Sequence, residues 1–115
     1  MKPGQLTPND LELEVLRQIG RQVPDIGRNL EVLHVLTREF TGVGSFTKFK
    51  LEGSVADGPQ QHVGLDALIR VPGVSNGLGA VLFCKNGAPE CLEIYAFGED
   101  RWDGTYAGFS IEQTV

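Results

Sequence analysis

Apolar residues recur every three or four positions in one N-terminal stretch and alternate with polar residues along most of the remaining chain. The first period is typical of a helix that is apolar on one side, and the second of half-buried strands. The helical stretch runs from Leu6 to Gln22, with Thr7 as the expected N-cap, Pro8 at the first helical position and Pro24 beyond its end. Its apolar stripe consists of Leu11, Val15, Leu16 and Ile19.

Two strands are predicted after the helix, at about Glu31 to Phe40 and about Ser45 to Leu51, paired as a hairpin. Residues 30–40 also contain helical spacings, but their β-branched content and the glycine-containing turn that follows favour a strand. Glu52 to Gln61 is predicted to be a polar loop. His62 to Val71 is predicted to be a third strand, and Ala107 to Ile111 an edge strand.

The centre of the predicted sheet is a hairpin formed by two runs of β-branched and aromatic residues, Ala80 to Cys84 and Cys91 to Phe97. A two-residue turn at Asn86-Gly87 would suit these residue types but would place Val81 opposite Leu92 and spoil the apolar face. We therefore favour a four-residue loop, Asn86 to Pro89, because apolar partners then match across the strands.

This register predicts which side chains of the hairpin share a face. The predicted core face consists of Val81, Phe83, Leu92, Ile94 and Ala96. The opposite face is mixed and consists of Ala80, Leu82, Cys84, Cys91, Glu93, Tyr95 and Phe97. In this register Cys84 lies directly across from Cys91, a placement that could accommodate a disulfide.

The order of elements predicts an α+β fold, in which the N-terminal amphipathic helix packs on one face of a mainly antiparallel sheet of five to six strands. A chain of 115 residues fits a single domain spanning residues 1–115. Its 15 glycines favour a turn-rich, strand-containing fold over a helical bundle.

Charge and composition exclude several classes of function. The net charge of −5 and the scattered Lys and Arg residues argue against nucleic-acid binding and fit a basic protein partner. No run approaches the roughly 18 apolar residues of a membrane span, and no secretory leader is recognisable, so a cytoplasmic location is expected. The glycine-rich segment from Val71 to Gly79 does not follow a phosphate-binding pattern, and we predict no cofactor.

Cys84, Cys91, His34 and His62 are weak candidates for a catalytic site. A cysteine and a histidine distant in sequence can meet in space as a nucleophile and its base. The two cysteines lie seven positions apart and neither histidine has a partner at metal-ligand spacing, so no metal site is predicted. Packing of both cysteines within the sheet is the favoured interpretation.

A cluster of charged and aromatic residues near the C-terminus is the predicted binding surface, because an aromatic anchor flanked by charges is typical of a binding hot spot. Glu93 interrupts an apolar strand and is expected to need a basic partner, either Lys48, Lys50 or Arg38. The predicted binding residues are Glu93, Tyr95, Glu99, Asp100, Arg101, Trp102, Asp103 and Tyr106.

Three segments, REFTGVGSFTKF, GLGAVLFCKNG and CLEIYAFGEDRW, together resemble a pattern of small uncharacterised bacterial proteins. In that pattern F-T-G-x-G-x-F-T is followed by a G-x-x-L-F-x-x-x-G hairpin and by L-E-x-Y-x-x-G-E. Some of these proteins resemble immunity proteins that neutralise secreted toxins, which implies a binding role. The chain departs from the pattern at Trp102, which is followed by Asp103 where the pattern has proline.

The leading hypothesis is a small acidic module that binds another protein, with toxin neutralisation as its specific form. One alternative is a small enzyme that uses Cys84 or Cys91 together with His34 or His62. Another is a homodimer formed through the mixed face of the sheet, with no catalytic role.

Overall fold

Seven antiparallel strands form one sheet, and an α-helix packs on one of its faces. The computed structural model describes residues 7–24, 30, 33–50 and 59–113. The elements are α1 (Asp10–Gln22), β1 (Val35–Phe40), β2 (Gly44–Phe49), β3 (Gln60–Gly64), β4 (Ala67–Arg70), β5 (Leu78–Lys85), β6 (Ala88–Ala96) and β7 (Ser110–Gln113). The predicted α+β class with a mainly antiparallel sheet is confirmed, with more strands than expected.

The sheet has the strand order β1-β2-β6-β5-β4-β7, and β3 pairs with β5 on the same side as β4. The hairpin β5–β6 is therefore central, as predicted. β1 and β2 form the predicted hairpin, and residues 35–40 are a strand. The proposed loop at 52–61 falls largely on residues 51–58, which lie outside the described residues.

The helix begins two residues later than the predicted N-cap Thr7 would place it. Asn9 is the N-cap: its Oδ1 accepts the Glu12 N–H at 2.8 Å, and Glu12 Oε1 accepts the Asn9 N–H at 2.9 Å. This reciprocal pair, a capping box, satisfies two N–H groups where a Thr7 cap would satisfy one. The predicted stripe is confirmed, since Leu11, Val15, Leu16 and Ile19 are all buried.

The predicted third strand, His62 to Val71, is in fact two strands. β3 ends at Gly64 and β4 begins at Ala67. The break at Leu65 and Asp66 is held by the helix end, because Gln22 Nε2 donates to the Gly64 carbonyl and Gln22 Oε1 accepts the Asp66 N–H. The predicted edge strand near residues 107–111 is shifted to β7, which pairs with β4.

The predicted register of the central hairpin is wrong. Asn86 and Gly87 form a two-residue turn with φ of 50° and 80°, both in the left-handed region that this turn type requires. A register shift then occurs between Phe83 and Cys84, where one extra residue is accommodated in β6. The shift sets Leu82 opposite Leu92, so the tight turn and the matched apolar face are both obtained.

The faces of β5 are consequently reversed from the prediction. Ala80, Leu82 and Cys84 are buried in the core, whereas Val81 and Phe83 lie on the opposite face. The faces of β6 are as predicted, with Leu92 and Ile94 inside. Cys84 pairs with Pro89 and Cys91 pairs with Phe83, so the two cysteines lie on opposite faces and are free thiols.

The core lies between α1 and the face of the sheet that α1 covers. Its buried apolar residues come from the helix, from the five strands β1, β2, β4, β5 and β6, and from segments before β1, after β4 and after β6. They include Leu11, Leu16, Ile19, Val35, Phe49, Ile69, Leu78, Leu82, Leu92, Ile94 and Trp102. The other face of the sheet, which we call the helix-free face, carries the remaining alternate side chains.

Candidate functional site

The helix-free face presents three rows of side chains that run across the strands. One row joins Glu39, Phe46, Glu93 and Val81, and a second joins Thr37, Lys48, Cys91, Phe83 and His62. The third places Tyr95 between Gly44 and Gly79. The described α-helix lies on the opposite face, so these aromatic, aliphatic and charged groups face outward from the sheet.

Two aromatic rings lie over a glycine at one end of this face. A Cβ atom on Gly79 would lie 2.7 Å from Phe97 Cζ and 2.8 Å from both Tyr95 Cζ and Tyr95 Oη. The two rings contact each other edge to face, with centroids 5.4 Å apart. Gly79 therefore provides the space that lets Tyr95 and Phe97 lie down on the strand as one aromatic platform, and Phe97 keeps 38% of its surface exposed.

The other end of the helix-free face is a shallow depression. The His62 and Phe83 rings meet edge to face at 5.8 Å beside it. The depression has a volume of about 500 Å³ and is lined by Leu36, Lys48, Phe49, Phe83, Glu90 and Cys91. The face as a whole is thus more apolar than a solvated sheet surface, with charged groups between its aromatic residues.

Glu93 occupies the middle of the helix-free face. The sequence suggested Lys48, Lys50 or Arg38 as its partner, but Arg38 is engaged by Glu12 instead. The ion pairs within the described residues are Glu12–Arg38, Glu14–Arg17, Arg70–Glu112 and Lys85–Glu90. Glu39 and Glu93, which flank Phe46, belong to none of these pairs, so this row presents two carboxylates around an aromatic ring.

The loop after β6 does not present its tryptophan, contrary to the role predicted for it. Trp102 is only 5% exposed and belongs to the core. Its backbone N–H donates to the Gly42 carbonyl at 3.0 Å, and its indole Nε1–H donates to the Thr105 carbonyl at 2.9 Å. Tyr106 is half-buried against the same core. An aromatic anchor for a partner must be exposed, so Trp102 instead closes one end of the protein's interior.

The charged residues of this loop have separate environments. Glu99 and Arg101 are exposed, and Asp100 accepts the Asn76 N–H at 2.8 Å. Asp103 accepts the Thr105 N–H, a bond that lowers the pKa of its carboxyl group. A cleft of about 490 Å³ lies beside them, lined by Gly42, Pro72, Gly73, Val74, Arg101, Trp102, Asp103 and Thr105.

The structure does not bring a thiol and an imidazole together as a reactive pair. Burial raises the pKa of the Cys84 thiol to about 11 and also raises the pKa of Cys91. His34 and His62 are exposed. His62 and Cys91 flank Phe83 in the same row, so two strand spacings, roughly 10 Å, separate their backbones. A thiol held protonated is a poor nucleophile, and this geometry does not favour thiol catalysis.

The sequence analysis did not identify a buried carboxylate, that of Glu12. Glu12 is 2% exposed and accepts hydrogen bonds from Arg38 Nε at 2.8 Å, Arg38 Nη2 at 2.6 Å and Thr47 Oγ1 at 2.6 Å. The signal that would have found it is the spacing of Asn9 and Glu12, which is that of a capping box. Every buried polar side chain of the described residues is satisfied, so we assign Glu12 a structural role.

Among the described residues no group of three or more His, Cys, Asp and Glu side chains is placed to hold a metal ion. In the same part of the chain no helix combines the length and apolar character that crossing a membrane requires. No family model, curated protein or solved structure matches the chain.

Proposed function

We propose that this protein is a small acidic protein-binding module, of the immunity type that neutralises a toxin, and that it binds through its helix-free face. The observation that carries the proposal is the platform of Tyr95 and Phe97 beside the row of Glu39, Phe46 and Glu93. Aromatic anchors with charges around them are the usual composition of an interface centre. We assign to this surface the partner binding that the sequence predicted for the Trp102 loop.

The charges of the face favour a basic partner. The chain carries a net charge of −5, and Glu39 and Glu93 lie outside every ion pair of the described residues. A Lys or Arg of the partner placed between them would contact both carboxylates and the Phe46 ring. Complementary charge also accelerates encounter, so association is expected to slow as salt is added.

The toxin-neutralising form of the proposal is supported by the resemblance of three segments to immunity-type proteins. Residues from all three meet in one row of the sheet, where Gly44, Tyr95 and Gly79 are paired. A side chain on Gly44 would collide with the Ile94 carbonyl, and one on Gly79 with the aromatic platform. Three fixed residues of the pattern, Gly44, Gly79 and Tyr95, therefore lie in the row that includes one ring of the platform.

Capture from a native lysate of the source cells, followed by an affinity measurement with the purified partner, tests the binding proposal. Glu93→Lys is expected to weaken binding at least tenfold by opposing the basic partner. Glu112→Lys is the matched control, because it makes the same change of charge on the edge strand β7, three strands away from the β6 strand that carries Glu93. Equal affinities for the two variants would contradict the proposal.

Neutralisation is tested separately from binding. If the captured partner inhibits growth when expressed alone, co-expression of the wild-type protein should restore growth. Glu93→Lys should fail to do so at equal protein level, while Glu112→Lys should succeed. A partner that binds at this face and has no toxic activity would leave the binding proposal intact and would contradict the immunity-type function.

A further inference from the structure

The most exposed large hydrophobic side chains of the described residues cluster at one edge of the sheet. Leu36, Phe40 and Val43 are 58%, 53% and 50% exposed, and all lie on the edge strand β1 or in the turn after it. The exposed residues of the other edge strands are polar. β7 carries Ser110, Glu112 and Gln113 as its exposed residues, and β3 carries Gln60, Gln61 and His62. Edge strands are usually protected by polar or charged residues, and β1 is protected less than the others.

The backbone of β1 presents hydrogen-bonding groups outward at every second residue. The Thr41 N–H donates to the Gly44 carbonyl at 2.9 Å, so Thr41 points towards β2. Successive residues of a strand point their N–H and C=O groups to opposite sides, which places those of Glu39 towards β2 and those of Arg38 and Phe40 away from it. No described strand pairs with this outer side of β1.

We infer that the partner adds a strand to β1, as an extended segment in which basic and apolar residues alternate. The inference rests on the proposed function and specifies the conformation and chemistry of the partner segment. The outward groups of Arg38 and Phe40 require an extended backbone, because a helix has no free groups to offer along its side. Side chains of an added strand alternate between the two faces of the sheet, and the two faces of β1 differ.

On the helix-free face, the next position beyond Glu39 continues the row of Glu39, Phe46 and Glu93. A Lys or Arg there lies directly opposite the Glu39 carboxylate. On the other face, the next position lies beside Phe40, whose ring packs near Gly104 and is still half exposed. An apolar side chain there covers that ring. The alternation of basic and apolar residues follows from these two requirements.

A second copy of this chain fits the edge poorly. Antiparallel pairing of two β1 strands that uses the outward groups of both Arg38 and Phe40 has its two-fold axis at Arg38 or at Glu39, because an axis at Phe40 would set Arg38 opposite Gly42, in the turn beyond the strand. The first register sets Arg38 opposite Arg38 of the second copy, and the second sets Glu39 opposite its own equivalent. Like charges directly opposite each other destabilise a strand pair, so a different partner is favoured.

The test is a titration of the ¹⁵N-labelled full chain with a short synthetic peptide of alternating Lys and Val, followed through the backbone amides. The amide resonances of Arg38 and Phe40 are expected to shift saturably, and their amide hydrogens to exchange more slowly with solvent. The Thr37 and Glu39 amides, which point towards β2, should keep their exchange rates. A peptide of alternating Glu and Val serves as the control and should not bind.

Two variants separate the backbone from the side chain. Phe40→Pro removes the outward N–H of residue 40 and leaves the hydrogen bonds between β1 and β2 in place. It should weaken peptide binding roughly tenfold, which is the effect of losing one or two backbone hydrogen bonds. Phe40→Ala removes only the ring and should weaken it less. Circular dichroism and the Trp102 indole resonance report whether each variant is folded.

Several outcomes would overturn the inference. These are the absence of a saturable change with the Lys-Val peptide, equal binding by Phe40→Pro and the wild type, or slowed exchange at Arg38 and Phe40 that depends on protein concentration without peptide. The last would identify a second copy as the occupant. Changes confined to Tyr95 and Phe97 would also overturn strand addition while leaving the proposed binding face in place.

Discussion

Glu12 is the side chain on which the polar contacts of the interior converge. It caps the helix through Asn9, binds Arg38 of β1 with both oxygens and accepts the Thr47 hydroxyl of β2. One carboxylate thus fixes the start of the helix to the first hairpin. Its carboxylate also raises the pKa of Arg38. Helical periodicity predicted the neighbouring Leu11 and Val15 correctly, and the Asn9–Glu12 spacing marks the cap. The contacts of Glu12 with Arg38 and Thr47 leave no local signal, because these partners lie 26 and 35 residues away.

Glu12→Gln tests this structural role. The substitution leaves Arg38 without its counter-charge, and we expect the free energy of unfolding to fall by roughly 2–4 kcal/mol, reduced from the full cost of a broken buried pair because Arg38 is partly exposed. Glu14→Gln is the control in the same helix turn. Glu14 contacts only Arg17 and Gln18 of its own helix, so this substitution should change the unfolding free energy by less than about 0.5 kcal/mol. Urea denaturation of both variants measures the difference, and equal losses would contradict the assignment.

Cys84 gives a prediction about thiol reactivity and pH. Burial raises the pKa of its thiol from 9.0 to about 11, so the thiol of the unfolded chain ionises first as the pH rises. The wild type should therefore lose stability between about pH 9 and pH 11, and Cys84→Ala should show a smaller loss over the same range. Below pH 9 the thiol should react with iodoacetamide only when the protein unfolds. Rapid labelling of Cys84 in the folded protein would be inconsistent with its burial.

At the scale of elements, the central hairpin shows where sequence patterns are sufficient and where they are not. The two strands, their position in the sheet and the faces of β6 were predicted, since β-branched and aromatic runs specify them. The register was predicted incorrectly, because apolar partners on straight strands match only when the loop has four residues. A bulge after a tight Asn86-Gly87 turn satisfies both requirements, and a one-residue insertion of this kind leaves no periodic signal.

Gly79→Ala tests the aromatic platform. A methyl group at this position would displace the ends of the Tyr95 and Phe97 rings. Because Phe97 is exposed, we expect the rings to swing outward and the unfolding free energy to change by less than about 1 kcal/mol. Gly64→Ala is the matched control, because nothing lies within 4 Å of its added carbon. The same experiment should show weaker partner binding for Gly79→Ala alone. Equal partner binding by the two variants would show that the platform does not depend on Gly79.

At the scale of the whole molecule, the α+β class, the central position of the β5–β6 hairpin and the core stripe of the helix followed from periodicity. The binding surface that we propose shares some residues with the surface predicted from the sequence. Glu93 and Tyr95 lie on the helix-free face as expected, but Trp102 is part of the core. A tryptophan among charged residues has the same local sequence whether it covers the interior or faces solvent, and only the contacts with Gly42 and Thr105 distinguish the two.

The central claim is that a protein partner binds the helix-free face and not the Trp102 loop, and one NMR comparison tests it directly. On addition of the purified partner, the ring resonances of Tyr95 and Phe97 should shift, and the rings should become less accessible to solvent. The resonances of the Trp102 indole N–H and the Tyr106 ring should stay unchanged. The opposite pattern, with Trp102 and Tyr106 affected and the platform unaffected, would contradict the account.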